Sequence, residues 1–239
     1  MDEAEPAREP PRGAKAELGA LLVEHYHKTC ELTHKRWEQR NRLFLQLLAV
    51  VGAATVLLEK PEAAEAVLAG WLVTLLEIPE GQREGVYESF SFSMVQGVML
   101  LTVFYLMVNL YHRAIDVLRH YAYLGELERE IRTRLGLETP SVAFTREGAF
   151  YDSSHRTFIL GTVKWAYVLL LGSLLAFFLG GRLAADWREG HEALVFIDAA
   201  VSVPVALYFH GYAVHTLRLV ADGRKARRAS GPGTGDRPA

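Results

Sequence analysis

The sequence predicts an all-α integral membrane protein: four transmembrane helices, with cytoplasmic helical extensions of the first and second spans. Three observations carry that expectation. Half of the 239 residues are hydrophobic, and they collect in blocks rather than in the scattered stripes of a soluble domain. Basic residues alternate between rich and poor segments from one block to the next. Two of the blocks also run, without a helix breaker, into amphipathic stretches of helical period.

Residues 1–15 are charged and proline-rich and read as a disordered cytoplasmic N-terminus. From 16 to 42 there is one glycine, Gly19, and no proline, so a juxtamembrane helix is expected; its apolar stripe is Leu18, Leu21, Leu22, Tyr26, Thr29 and Leu32. The first span, Leu43–Leu58, is 16 residues long, short for an apolar core of about 30 Å but flanked by charges that can snorkel. Because it follows 42 highly charged residues, it suits an uncleaved signal anchor rather than a cleaved signal peptide.

Residues 59–88 form an extracytoplasmic loop in which 62–78 read as a helix lying in the membrane interface. Its uncharged core is too short to cross, and Ala64, Val67, Leu68, Trp71, Leu75 and Ile78 share one face, with Trp71 suited to headgroup depth. The second span, Ser89–Tyr111, has 23 residues without a charge. A cytoplasmic helix over 112–136 continues it, with the stripe Val117, Leu118, Tyr121, Leu124, Leu127, Ile131 and Leu135. Glu128 with Arg132 and Glu130 with Arg134 give i,i+4 pairs expected on its wet side. Two amphipathic stripes in an aqueous compartment need a partner, and the nearest is each other, within or between subunits; the alternative is that they lie on the membrane surface.

Gly136 and Pro140 should end that helix, and 137–157 reads as a cytoplasmic connector of mixed aromatic and basic character. The third span is Phe158–Gly181, followed by a short extracytoplasmic loop over 182–192. The fourth is Ala193–Leu217, followed by a basic, disordered cytoplasmic tail over 218–239 suited to anionic headgroups. Lys and Arg number 21 in the segments assigned inside and four in those assigned outside, so both termini are expected in the cytoplasm.

Polar residues within spans are functional candidates because burying them in lipid is costly. Gln46, Asn109, Lys164 and His210 fall toward the inner ends of their spans, and Gln96 and Asp198 toward the outer ends. Two polar layers with an apolar zone between them suit an ion pathway closed by an apolar constriction. The alternative is that Lys164 snorkels, Asp198 reaches interfacial water and His210 bonds a neighbouring helix. Pro204, in mid-span, could kink the fourth helix and free backbone carbonyls, which favours the ion pathway. Gly172, Ala176 and Gly180, four apart, mark a face where another helix can approach closely.

"EHYHKTCELTH", residues 24–34, holds three histidines and the chain's only cysteine. His27, Cys30 and His34 lie at i, i+3 and i+7, and a zinc site would need a further ligand from a second helix, for example His120. The stretch is therefore read as the solvated face of the juxtamembrane helix, and no metal or cofactor is expected. No HExxH, CxxC, phosphate loop or nucleophile elbow is present. Asp198 and Ser202 share a face, but His210 is about 18 Å further along the same helix, so the three cannot close into a triad. An enzyme is not expected.

With a net charge of −2, nothing suggests nucleic acid. The expected partners are the lipid bilayer, further copies of the chain and a cytoplasmic protein. In architecture the chain resembles small bacterial multipass proteins that act as membrane effectors in defence systems, which implies the inner membrane. The function expected is a small oligomeric channel or pore with a cytoplasmic stalk; the alternative is a membrane-anchored interaction or signalling module whose cytoplasmic helices bind a partner.

Overall fold

In a computed structural model the chain is helical throughout its regular structure. The structure describes residues 12–59, 61–89, 92–137, 143–144, 158–188, 190 and 192–229. Among these there are six helices and no strand. They are α1 (Arg12–Glu59), α2 (Pro61–Leu75), α3 (Glu80–Ser89), α4 (Phe92–Leu135), α5 (Phe158–Arg188) and α6 (Glu192–Ala229). Four of them, α1, α4, α5 and α6, are long and apolar enough to cross a membrane. Of the N-terminal stretch 1–15 expected to be disordered, 12–15 belong to α1, while 1–11, most of the connector and the tail beyond Ala229 lie outside the described residues.

The chain divides into two units. The first comprises Met1–Gln39 with Ile115–Leu160, and the second Arg40–Ala114 with Gly161–Ala239.

In the first unit, α1 and α4 pair antiparallel: Gly19 lies opposite Leu135, Tyr26 opposite Glu128, and Arg36 opposite Asp116. The buried centre is Tyr26, Leu124, Leu127 and Ile131, with Leu22, Cys30 and Phe144 packed against it. The stripe expected on α1 is split: Leu22, Tyr26 and Thr29 turn inward while Leu18, Leu21 and Leu32 stay exposed. Burying the threonines does not leave their hydroxyls unpaired, because Thr29 and Thr33 each donate to the carbonyl four residues back, at 2.8 Å. Glu130 and Arg134 form the expected surface pair at 2.6 Å. Glu128 departs from the expected wet side. It is buried on the same stripe as Leu124 and Ile131 and accepts the Tyr26 hydroxyl at 2.8 Å.

α4 ends in a left-handed turn at Gly136 (φ 63°), where the Leu137 amide reaches back to the Arg132 carbonyl at 3.0 Å. α2 ends with the same hydrogen-bond pattern, Ile78 to Val73 at 3.0 Å, but there the left-handed residue is Glu77 (φ 50°).

The second unit has a continuous apolar core. Leu47, Val51, Leu100, Val103, Met107, Leu171, Phe178 and Val205 are shut off from solvent, drawn from all four long helices. Gly172 admits the Phe209 ring onto α5, and Gly211 admits the Tyr111 ring onto α6. The helix expected over 62–78 is α2, which ends at the turn at Glu77, and a further helix, α3, follows from Glu80. α2 buries Ala64, Ala69 and Val73 and exposes Val67, Trp71 and Leu75, so the face grouped from sequence is divided. α5 runs past Gly181 to Arg188, and α6 past Leu217 to Ala229; Arg, Lys and Ala are good helix formers and extend both.

Candidate functional site: a buried arginine clasp

The inward face of α5 reads Leu171, Leu175, Phe178, Arg182, Asp186, at spacings of four and three. Helical period therefore carries two charged residues into the stripe that otherwise fills the core. Arg182 and Asp186 are each only 2% exposed, and Asp198 on α6 is 4% exposed.

Arg182 is held on three helices. Its Nε donates to Asp198 Oδ2 at 2.5 Å and lies 3.5 Å from Asp186 Oδ2 on its own helix. Its Nη1 donates to Gln96 Oε1, and its Nη2 to Ser93 Oγ at 3.1 Å, both on α4. A guanidinium has five N–H donors in a fixed planar fork, which suits it to bridge several acceptors at once. Desolvating such a charge costs several kcal/mol unless paired groups compensate, and here carboxylates and neutral acceptors surround it. A guanidinium shared among acceptors on three helices ties those helices together, and cohesion is what this arrangement supplies.

Gln96 and Asp198 are thus brought together, joined by Arg182. The sequence places Arg182 in a loop because the apolar run stops at Gly181. The signal that locates it is the i,i+4 step from Phe178, which keeps it in phase with the core. Ser202, one turn from Asp198, is buried, and its hydroxyl has no hydrogen-bond partner among the described residues.

Of the residues expected in an inner layer, those with described side chains make no hydrogen bond to one another. Asn109 donates from Nδ2 to the Tyr105 carbonyl of its own helix at 2.8 Å. Gln46 and His210 are exposed on the outside of the second unit. Lys164 lies on α5, its side chain outside the described set. Of the small residues, Gly172 packs against Phe209, while Ala176 and Gly180 are exposed. Asp198, Ser202 and His210 do not assemble, since Asp198 is committed to Arg182 and His210 faces outward.

The histidine-rich stretch of α1 is distributed around its helix. His25 shares a hydrogen bond with the Tyr123 hydroxyl at 2.9 Å, and His34 stacks on Trp37 and approaches Glu38 at 3.2 Å. His120 bonds the Asp116 carbonyl of its own helix at 2.8 Å. Burial and then the bond to Glu128 push the Tyr26 hydroxyl well above the usual tyrosine range. At the surface, the Lys28 ammonium, 2.7 Å from Glu24, lowers that carboxylate and is itself raised, first through their hydrogen bond and then through charge. Among the described residues no three His, Cys, Asp or Glu side chains converge as a metal site would require. No protein-family model, curated protein or solved structure matches the chain.

Proposed function

We propose that the chain is a four-span protein of a bacterial inner membrane, with both termini in the cytoplasm, that works as an oligomer and forms a small pore between its copies. The observation that carries this reading is the filled interior of the second unit. Among the described residues, Leu47, Val51, Met107, Leu171 and Phe178 fill the space between its four long helices with apolar side chains. The Arg182 clasp takes up Gln96 and Asp198 internally. A water path through one copy has no lining there, so conduction requires a path between copies, closed at rest by apolar side chains.

The test is ion flux from liposomes together with particle mass in nanodiscs. The reading expects conductance and more than one copy per particle; a single copy that passes no current at any voltage, pH or lipid composition overturns it.

A second reading, a membrane-anchored interaction module, is favoured by the first unit. Leu18, Leu21, Trp37 and Tyr123 are exposed there, and a groove of about 600 Å³ runs along Gly19, Ala20, Val23, His27 and Leu135. Retained partner capture by the first unit without conductance distinguishes it from the pore.

A further inference from the structure

Gln46 and His210 stand out among the polar side chains of the four long apolar stretches. Gln96 and Asp198 are bound in the clasp, and Asn109 bonds its own helix. Gln46 on α1 and His210 on α6 are exposed on the second unit's surface, and neither makes a hydrogen bond among the described residues. In hydrocarbon such groups are costly unless another helix supplies a partner.

The packing of this unit places the two at one level. The Phe44 ring meets that of Tyr167 at 5.4 Å, and Leu58 approaches Gly181, so α1 and α5 advance together residue for residue. α5 and α6 run oppositely, with Gly172 against Phe209 and Arg182 against Asp198. Carried across, this register sets Gln46 level with Leu169, and Leu169 level with Gly211 to Tyr212. His210 is one or two residues from that level, about 3 Å of helix rise or less. The two side chains share a depth but do not bond each other within the chain.

We infer that Gln46 of one copy and His210 of the next form an intermolecular hydrogen bond that joins copies head to tail. The inference rests on the oligomeric reading above and names its contact. A glutamine amide offers both donors and an acceptor, and a neutral imidazole offers one of each, so the two are complementary in either tautomer. Contact between two different faces is heterologous, and with a closing rotation it generates a ring, the arrangement that a pore between copies requires.

Single-cysteine variants Gln46→Cys and His210→Cys, both carrying Cys30→Ser and distinguished by tag size, are reconstituted together in one bilayer and, as controls, each alone, then oxidised. The expected result is a cross-linked dimer holding one chain of each kind, at least fivefold more abundant in the mixture than any dimer from either variant alone. Homotypic dimers in excess, or no cross-link in particles whose mass shows several copies, overturn the contact while leaving the oligomer standing. Particles of single-copy mass overturn both. A second measurement uses Gln46→Leu, His210→Leu and the double variant. Each should weaken association roughly three- to tenfold, the double no further than either single. Tighter or unchanged association in the leucine variants, as expected of side chains that merely face lipid, also overturns the inference.

Discussion

The two units bury polar groups in opposite ways. The first is a helix pair with a short core around Leu124 and Ile131, and its buried polar contact, Tyr26 to Glu128, joins just those two helices. The second has a long apolar core and places a permanent charge at one end, shared by α4, α5 and α6. A two-helix contact can be loosened at modest cost. Removing the centre of a three-helix ion cluster strands the carboxylates that it served. The difference teaches where each unit is breakable, and substitutions in each test it.

The largest effect is expected from Arg182→Met, which leaves Asp198 and Asp186 buried beside an apolar side chain. Loss of one partner from a buried pair costs about 3–5 kcal/mol, read as a fall in thermal or SDS unfolding midpoint in detergent. Adding Asp198→Asn should recover part of the loss. If Arg182→Met proves no more damaging than the substitution of Tyr26 below, the contrast between the units collapses.

Tyr26→Phe removes one donor from the buried Glu128 carboxylate and should cost about 1–3 kcal/mol in the first unit. It also carries a pH signature. The Tyr26 hydroxyl is held above its ordinary value of 10.0, so its contribution is complete below that value and is lost as pH rises beyond it. Helix content followed by circular dichroism should fall above about pH 10 in the parent and show a smaller alkaline loss in Tyr26→Phe. Identical alkaline profiles would remove Tyr26 from the account.

The smallest effect separates residues of one sequence stripe. A Cβ on Gly172 would stand 2.8 Å from the Phe209 ring, so Gly172→Ala should cost about 1–2 kcal/mol, with relief on adding Phe209→Leu. A Cβ on Gly180 would meet nothing within 4 Å, so Gly180→Ala should leave a single copy's stability unchanged or slightly raised. Unfolding midpoints of the two variants side by side decide it.

How much of this is legible in the sequence follows from which contacts are local. The four apolar helices are plain because hydrophobic blocks declare themselves over consecutive residues. The pairing of the two stripes in the first unit follows from their periodicity, although which leucines turn inward does not: Leu18 and Leu22 differ only by a slight rotation about the helix, and the neighbour decides. The clasp is not legible as such. Gln96 and Asp198 stand out as costly polar residues, but Arg182 is hidden wherever composition, rather than phase, is used to end the third helix. The break at Glu77 is hidden for another reason: left-handed turns favour glycine, and nothing about a glutamate announces one.

The spacing of the clasp along the chain has a consequence for the order of biosynthesis. Gln96 waits 86 residues for Arg182, and Arg182 a further 16 for Asp198. At about 5–20 residues per second, Gln96 is made roughly 4–17 seconds before its arginine, and the arginine waits about 1–3 seconds for its carboxylate. Helix pairs that are neighbours in sequence have time to form first, and the charge closes the assembly last, so a ribosome stalled between residues 182 and 198 would hold the chain with its bolt drawn.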